Sequence, residues 1–217
     1  MFFRNKRVIV VGGSSGIGSG LIDKFIDFGA KVYYFARSER KNNKDNNIAK
    51  HIYVDLHSED NISKGFKNYD EYENSLDILV NVAGINYCKK HYEITAEEFD
   101  EVYAVNLRSF FFTCNKSIRR MSQGGKIVNV SSIAGRNKSI VSGVHYTASK
   151  AAIIGLTRQL AHEIGPLGIN INCVCPSQTE TRMLKESMTK RERLQLAQNI
   201  PLRRLARVED VVNPIIF

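Results

Sequence analysis

The sequence predicts an α/β protein built on a doubly wound parallel sheet. Short, branched apolar runs alternate with helix-periodic segments along the 217 residues. Those runs are apolar on consecutive positions, as strands covered on both faces are. The first run ends in glycines that open straight into a helical pattern, the connection such sheets use.

Residues 7–11 (RVIVV) are too short for a helix, and Gly12 and Gly13 end them. From 16 to 28, Ile17, Leu21, Phe25 and Phe28 recur at three- and four-residue intervals, which makes one helix face, and Gly29 closes it. Further strands are expected at 31–35, 51–54, 77–80, 126–130 and 169–174, six in all. Helical patterns fill the gaps, among them 95–121 and 146–164, and the Asn/Lys-rich residues 41–47 read as a surface loop. There is no internal repeat and no low-complexity linker. The length suits one domain over residues 1–217.

Composition removes several classes. Hydrophobic residues at 43% and charged residues at 24% describe a folded chain, not a disordered one. No stretch approaches the ~18 consecutive apolar residues of a membrane span. The opening residues lack the longer apolar core of a signal peptide. Cys88, Cys114, Cys173 and Cys175 have no zinc-ligand spacing, so a reducing cytoplasm and no metal are expected. The net charge is +9, and residues 182–207 alone carry eight cations against two acids. Such a segment attracts anions: a phosphorylated cofactor, or an acidic substrate or carrier. Without interleaved aromatics or a nucleic-acid module, nucleic acid ranks last.

The turn after the first strand reads Gly12-Gly13-Ser14-Ser15-Gly16-Ile17-Gly18. Phosphate must come close to backbone N–H groups at a helix N-terminus, and Gly12, Gly16 and Gly18 remove the side chains that would block it. A dinucleotide is therefore expected. Dinucleotide sites commonly place an acid about 20 residues on, against the ribose hydroxyls. Here the second strand ends in Ala36-Arg37-Ser38, with no acid before Glu39. A guanidinium suits a 2′-phosphate, so NADP(H) is favoured, with NAD(H) the alternative.

Together with this turn, the chain carries Asp55 after strand three, Asn81-Val82-Ala83-Gly84 after strand four and Asn106 in a long helix. Ser132 follows strand five, and Tyr146-Thr147-Ala148-Ser149-Lys150 opens a helix. In that order and spacing the sequence resembles the short-chain dehydrogenase/reductases, and within them the 3-oxoacyl carrier-protein reductases. The resemblance implies a Rossmann-like fold and interconversion of a carbonyl and a secondary alcohol. It implies a tetrad of Asn106, Ser132, Tyr146 and Lys150, with Asn106 holding a water that links Lys150 to solvent. Asp55, with Leu56 beside it, would meet the adenine amine. Asn81, Ala83, Gly84, Pro176, Thr179 and Thr181 would line the cofactor, as would Tyr146 and Lys150. It also implies a lid over the substrate at about 182–205, and a homodimer or homotetramer through the helices around Asn106 and Tyr146.

The residues support the same chemistry. Tyr146 and Lys150 are four apart and share a helix face. A phenol of pKa ~10 is a poor base near neutrality, and a nearby ammonium is expected to lower it. Tyr146 then exchanges a proton with the substrate oxygen while Ser132 donates a hydrogen bond to it. Three departures from the family pattern stand out. Val11 replaces a threonine, and Ser177 replaces a glycine, with strain expected if that position needs positive φ. The chain also stops at Phe217, so the family's seventh strand is expected to be missing and an edge left open.

Other residues carry plainer readings. His145 reads as a loop histidine, Cys173 and Cys175 as buried thiols on one strand face, and Phe110–Phe112 as core or a helix-pair interface. Two different functions stay open beside the reductase: an NAD-dependent sugar or cyclic-diol dehydrogenase, and a dinucleotide-binding protein without catalysis.

Overall fold

Val8 and Val10 of the first strand enter one layer and Ile9 and Val11 the other, and all four are fully buried. That pattern needs helices on both sides. In the computed structural model, which describes residues 2–40 and 49–217, both sides are covered. The expected loop at 41–47 lies outside the described residues.

The six strands are β1 (Arg7–Val11), β2 (Lys31–Ala36), β3 (Ala49–Tyr53), β4 (Ile78–Asn81), β5 (Lys126–Val130) and β6 (Asn170–Val174). All pair in parallel in the order β3-β2-β1-β4-β5-β6. The chain winds outward from β1 to β3, then restarts on the other side of β1. The crevice therefore opens beyond the carboxyl ends of β1 and β4, where the winding reverses.

Helix α1 (Gly16–Asp27) packs Leu21, Ile22 and Phe25 under Val8, Val10, Val32 and Val80. The opposite layer holds α2 (Glu59–Asp70), which adds Ile62, Phe66 and Tyr69 to Ile9, Phe35 and Leu79. Ser58 starts α2 by accepting the Asn61 N–H, and Glu59 and Asp60 sit at the positive end of its dipole.

The helix expected over 95–121 is shorter and not uniform. It runs as α3 (Ala96–Tyr103), one π-helical turn at Ala104–Arg108, and α4 (Ser109–Ile118). Thr95 and Glu98 form a reciprocal cap that fixes its start. The π turn adds a residue to the helical cycle at Asn106 and re-aims that side chain. Along α4, Phe110 is buried and Phe111 exposed, so the aromatic run splits between core and surface.

Helix α5 (Val144–Ile164) begins two residues before the expected start and so includes His145. Beyond β6 come α6 (Arg182–Ser187) and α7 (Lys190–Gln198), gathered by Leu184, Leu196 and Leu205 into a small cluster of their own. A bridge between Thr179 and Ala206 ties both ends of this excursion to one point. Helix α8 (Val208–Ile216) then returns to lie on α1 through Val211, Val212 and Ile215. Ser177 is not in the left-handed region, so serine costs no backbone strain there. Among the described residues β6 is an edge of the sheet.

Candidate active site

A cleft of about 660 Å³ runs over the carboxyl ends of the strands, a size usual for small-molecule sites. Its floor is the β1–α1 turn. Gly12 has φ +93°, and a Cβ there would lie 2.6 Å from the Ala83 backbone nitrogen, so only glycine lets the loops after β1 and β4 close together. A methyl on Gly18 would overlap the Gly12 carbonyl oxygen, which holds α1 tight against the turn. Ser15 is the N-cap but makes no side-chain cap bond, and no acid lies in the first turn. The first amides of α1 and the positive end of its dipole are thus unspent. A turn cleared of side chains beneath unspent amides fits the diphosphate of a dinucleotide.

Ser14, Ser15, Gly16, Ile17, Arg37, Ser38, Asp55, Leu56, Ala83, Gly84, Pro176, Thr179 and Thr181 all line this cleft. Arg37 and Ser38 are exposed at the end of β2. Asn81 is a correction. It is buried within the sheet, where its amide donates to Asn129 Oδ1 at 2.9 Å and its oxygen accepts the Thr113 hydroxyl at 2.8 Å. Asn129 passes the chain on to Thr157 at 3.1 Å. Asn81 belongs to a polar ladder binding β4 and β5 to α4 and α5. It is one residue short of the crevice.

Ser132, Tyr146 and Lys150 meet at the other end of the same cleft. Ser132 stands beyond β5 and accepts the Ala134 N–H at 3.1 Å, so its hydroxyl proton remains free to donate. Helix α5 is held against this turn: a Cβ on Gly135 would sit 2.6 Å from the Lys150 carbonyl carbon, and Ser131 donates to that carbonyl at 2.7 Å. The Lys150 ammonium donates to the Val130 carbonyl at 3.1 Å and stands 5.7 Å from the Tyr146 ring centre. A Cβ on Gly84 would be 3.4 Å from both Lys150 Nζ and Asn106 Oδ1. All four expected tetrad residues therefore surround Gly84 or the phenol.

Asn106 and Tyr146 each need a closer description. Asn106 does not line the cleft with a free amide. Its oxygen accepts the Ile85 N–H at 2.8 Å, and its nitrogen donates to the Ile85 carbonyl at 2.9 Å and to Ser149 at 3.2 Å. It pins the loop after β4 to the π turn and to Ser149 of α5. The Tyr146 phenol is not acidified. Burial pushes its pKa above the usual value, and the Ser132 hydroxyl beside it offsets this only in part. The lysine responds instead: burial lowers Lys150 to about 8, against the weaker pull of the Cys173 and Cys175 thiols. Both groups sit in the same dry corner, which disfavours the charged form of each. Cys173 and Cys175 themselves are half-buried, so the fully buried reading fails for them.

His145 is not a loop residue. It is wholly buried in the first turn of α5, stacked on Tyr87 with ring centres 6.1 Å apart. Four residues escape the sequence reading. Arg40 is buried, donates to Ser19 at 3.2 Å and pairs with Asp23, which fastens the loop bearing Arg37 to α1. His57, Glu101 and Tyr87 form a hydrogen-bonded chain starting from Asp55. Only His57 left a signal in the sequence, a titratable ring two residues after the expected adenine contact.

A crevice built for a dinucleotide, with a serine, a tyrosine and a lysine at its inner end, defines a nicotinamide-dependent oxidoreductase. Residues 6–192 match the family described as short chain dehydrogenase, and the chain belongs to the short-chain dehydrogenase/reductase family. It is 33% identical to the 3-oxoacyl-(acyl-carrier-protein) reductase FabG of Aquifex aeolicus, covering 99% of this chain and 90% of that one. It is also 33% identical to a 3alpha-hydroxysteroid dehydrogenase of Mediterraneibacter gnavus, covering 100% and 90%. Among solved structures, a short chain dehydrogenase from Burkholderia cenocepacia in complex with NADP superposes with a TM-score of 0.92 at 28% identity, covering 100% and 91%. Among the described residues no helix is long and apolar enough to cross a membrane.

Proposed function

We propose that this protein is an NADP(H)-dependent reductase of 3-oxoacyl thioesters, acting on chains held by an acidic carrier. The observation that carries the reductase reading is the convergence of Ser132, Tyr146 and Lys150 in one cleft with the uncapped N-terminus of α1. When bound, the nicotinamide supplies the hydride that reduces the carbonyl carbon. Tyr146 gives its phenolic proton to the carbonyl oxygen, and Ser132 donates a hydrogen bond that fixes that oxygen. Lys150 presents its ammonium at Gly84, where it would hold a hydroxyl of the cofactor and favour proton exchange at Tyr146. Asn106 acts as a positioning residue, holding the Ile85 backbone that shapes this end of the cleft.

Arg37 supports NADP(H). It is exposed at the rim of the cleft, next to the small Ala36 and with no acid at the end of β2. Alanine at Arg37 is expected to lower the preference for NADPH over NADH about tenfold, measured as the ratio of kcat/KM, because a bidentate phosphate contact is lost.

The anionic substrate rests on α6 and α7, which make up the lid of this reading. Arg182 lines the cleft, and Lys185, Lys190, Arg191 and Arg193 lie on the same excursion. The 3-oxoacyl-(acyl-carrier-protein) reductases among its relatives support the same class. Exposed Phe111 on α4 and Val144 on α5 support a homo-oligomer through those helices.

The test is a carbonyl panel with NADPH, followed as loss of absorbance by the reduced nicotinamide. Acetoacetyl-CoA is expected to turn over fastest, ahead of a 3-oxosteroid and an aldohexose lactone, and to slow as salt screens the lid. Equal rates across the panel with no salt effect would remove the anionic substrate and leave the reductase.

A further inference from the structure

Both ring nitrogens of His57 face carboxylates. Nδ1 lies 2.7 Å from Asp55 Oδ1, and Nε2 lies 3.1 Å from Glu101 Oε1. A neutral imidazole has one N–H and one lone pair, so only the doubly protonated ring donates to both oxygens. Loss of a proton turns one bond into a repulsion.

The chain continues on each side. Glu101 accepts the Tyr87 hydroxyl at 2.5 Å through its other oxygen. Asp55 also accepts the His57 backbone N–H at 3.1 Å. Asp55, His57 and Tyr87 line the same cleft, on the loops after β3 and β4. The His57 hydrogen bond leads the causes that hold the Asp55 carboxyl below its usual range, while Tyr87 leads and His57 assists for Glu101. The charged groups around the ring are Asp55 on its own loop, Glu101 on α3, Arg37 at the end of β2, and Arg108, which donates to the His57 carbonyl at 2.8 Å. The ring is one-third exposed, so solvent protons reach it.

We propose that His57 is a positioning residue which, when doubly protonated, ties Asp55 at the adenine end of the cleft to Tyr87 at the substrate end through Glu101. This rests on the reading above, in which Asp55 meets the adenine and the substrate carbonyl lies at Tyr146, in the cleft that Tyr87 also lines.

Two near-isosteres separate the halves of the brace. An asparagine nitrogen falls near Nδ1 and keeps the Asp55 bond; a glutamine nitrogen falls near Nε2 and keeps the Glu101 bond. His57→Gln is expected to weaken NADPH binding about fivefold to tenfold with little change in KM for acetoacetyl-CoA. His57→Asn is expected to do the reverse, leaving NADPH binding intact and raising that KM about threefold to fivefold. Equal defects in both variants, or no defect in either, would overturn the brace. Where a His57 variant does not fold, Glu101→Ala decides it: a raised KM for acetoacetyl-CoA with NADPH binding intact is the expected result, and an unchanged KM overturns the brace. An Asp55→Ala arm separates this from the underlying reading. Unchanged NADPH binding there removes Asp55 as a cofactor contact. Weakened binding there, with the two His57 variants alike, removes the brace alone.

Discussion

Tyr146→Phe is expected to lower kcat for carbonyl reduction about a thousandfold while NADPH binds within about twofold of the wild type. Phenylalanine keeps the ring and removes the one proton positioned for the substrate oxygen. Steady-state turnover and NADPH fluorescence titration measure the two quantities separately. The direction of the phenol's pKa sharpens the expectation. Burial holds Tyr146 in its protonated form across neutral pH, which is the form that reduction consumes. Reduction is therefore expected to stay level from about pH 6 to 7 and to fall as Lys150 loses its proton around pH 8, while alcohol oxidation, which needs the phenolate, climbs with pH up to that point. A variant that kept a tenth of the wild-type rate would place the acid elsewhere.

The sequence was most informative where backbone geometry leaves few choices. The β1–α1 turn was readable because phosphate approach and a φ of +93° at Gly12 both demand glycine. Strand runs were readable because burial on both faces forces consecutive apolar residues, and β1 and β5 fall on their expected bounds. The π turn at Ala104–Arg108 was not readable. It arises from Asn106 clasping the Ile85 backbone across the core, a tertiary bond that helical periodicity cannot report. Asn81 misled for a similar reason. Its pairing with Asn129 is a consequence of β4–β5 register, and register is invisible until the strands are side by side. The titration of Tyr146 failed at a further level. Spacing on a helix brings two side chains together, but how dry their meeting place is depends on everything packed around it.

Lys150→Met is expected to stabilise the protein and to disable it. In the folded state Lys150 is 3% exposed, and among the described residues its ammonium has one hydrogen-bond acceptor, the Val130 carbonyl, beside the faces of Phe110 and Tyr146. Burial lowers its pKa from 10.5 to about 8, so the fold prefers the neutral amine. At pH 7 the group is charged in both folded and unfolded chains, and the whole cost of burying it is present. At about 1.4 kcal/mol per pH unit that cost is roughly 3 kcal/mol. Between about pH 8 and 10.5 the unfolded chain binds more protons than the folded one, so wild-type stability gains with rising pH there. Methionine fills nearly the same volume without charge. The variant should unfold several degrees higher at pH 7 and lose the stability gain attributable to residue 150 above pH 8. Its turnover should fall about a hundredfold or more, since the ammonium presented at Gly84 is gone. Thermal unfolding at pH 7 and 10, with turnover on the same preparations, measures both. A variant less stable than the wild type at pH 7 would mean the ammonium is well paired in the free protein, and the strained lysine would lose its explanation. A gain in stability bought with a loss of turnover marks a charge kept for chemistry against the preference of the fold.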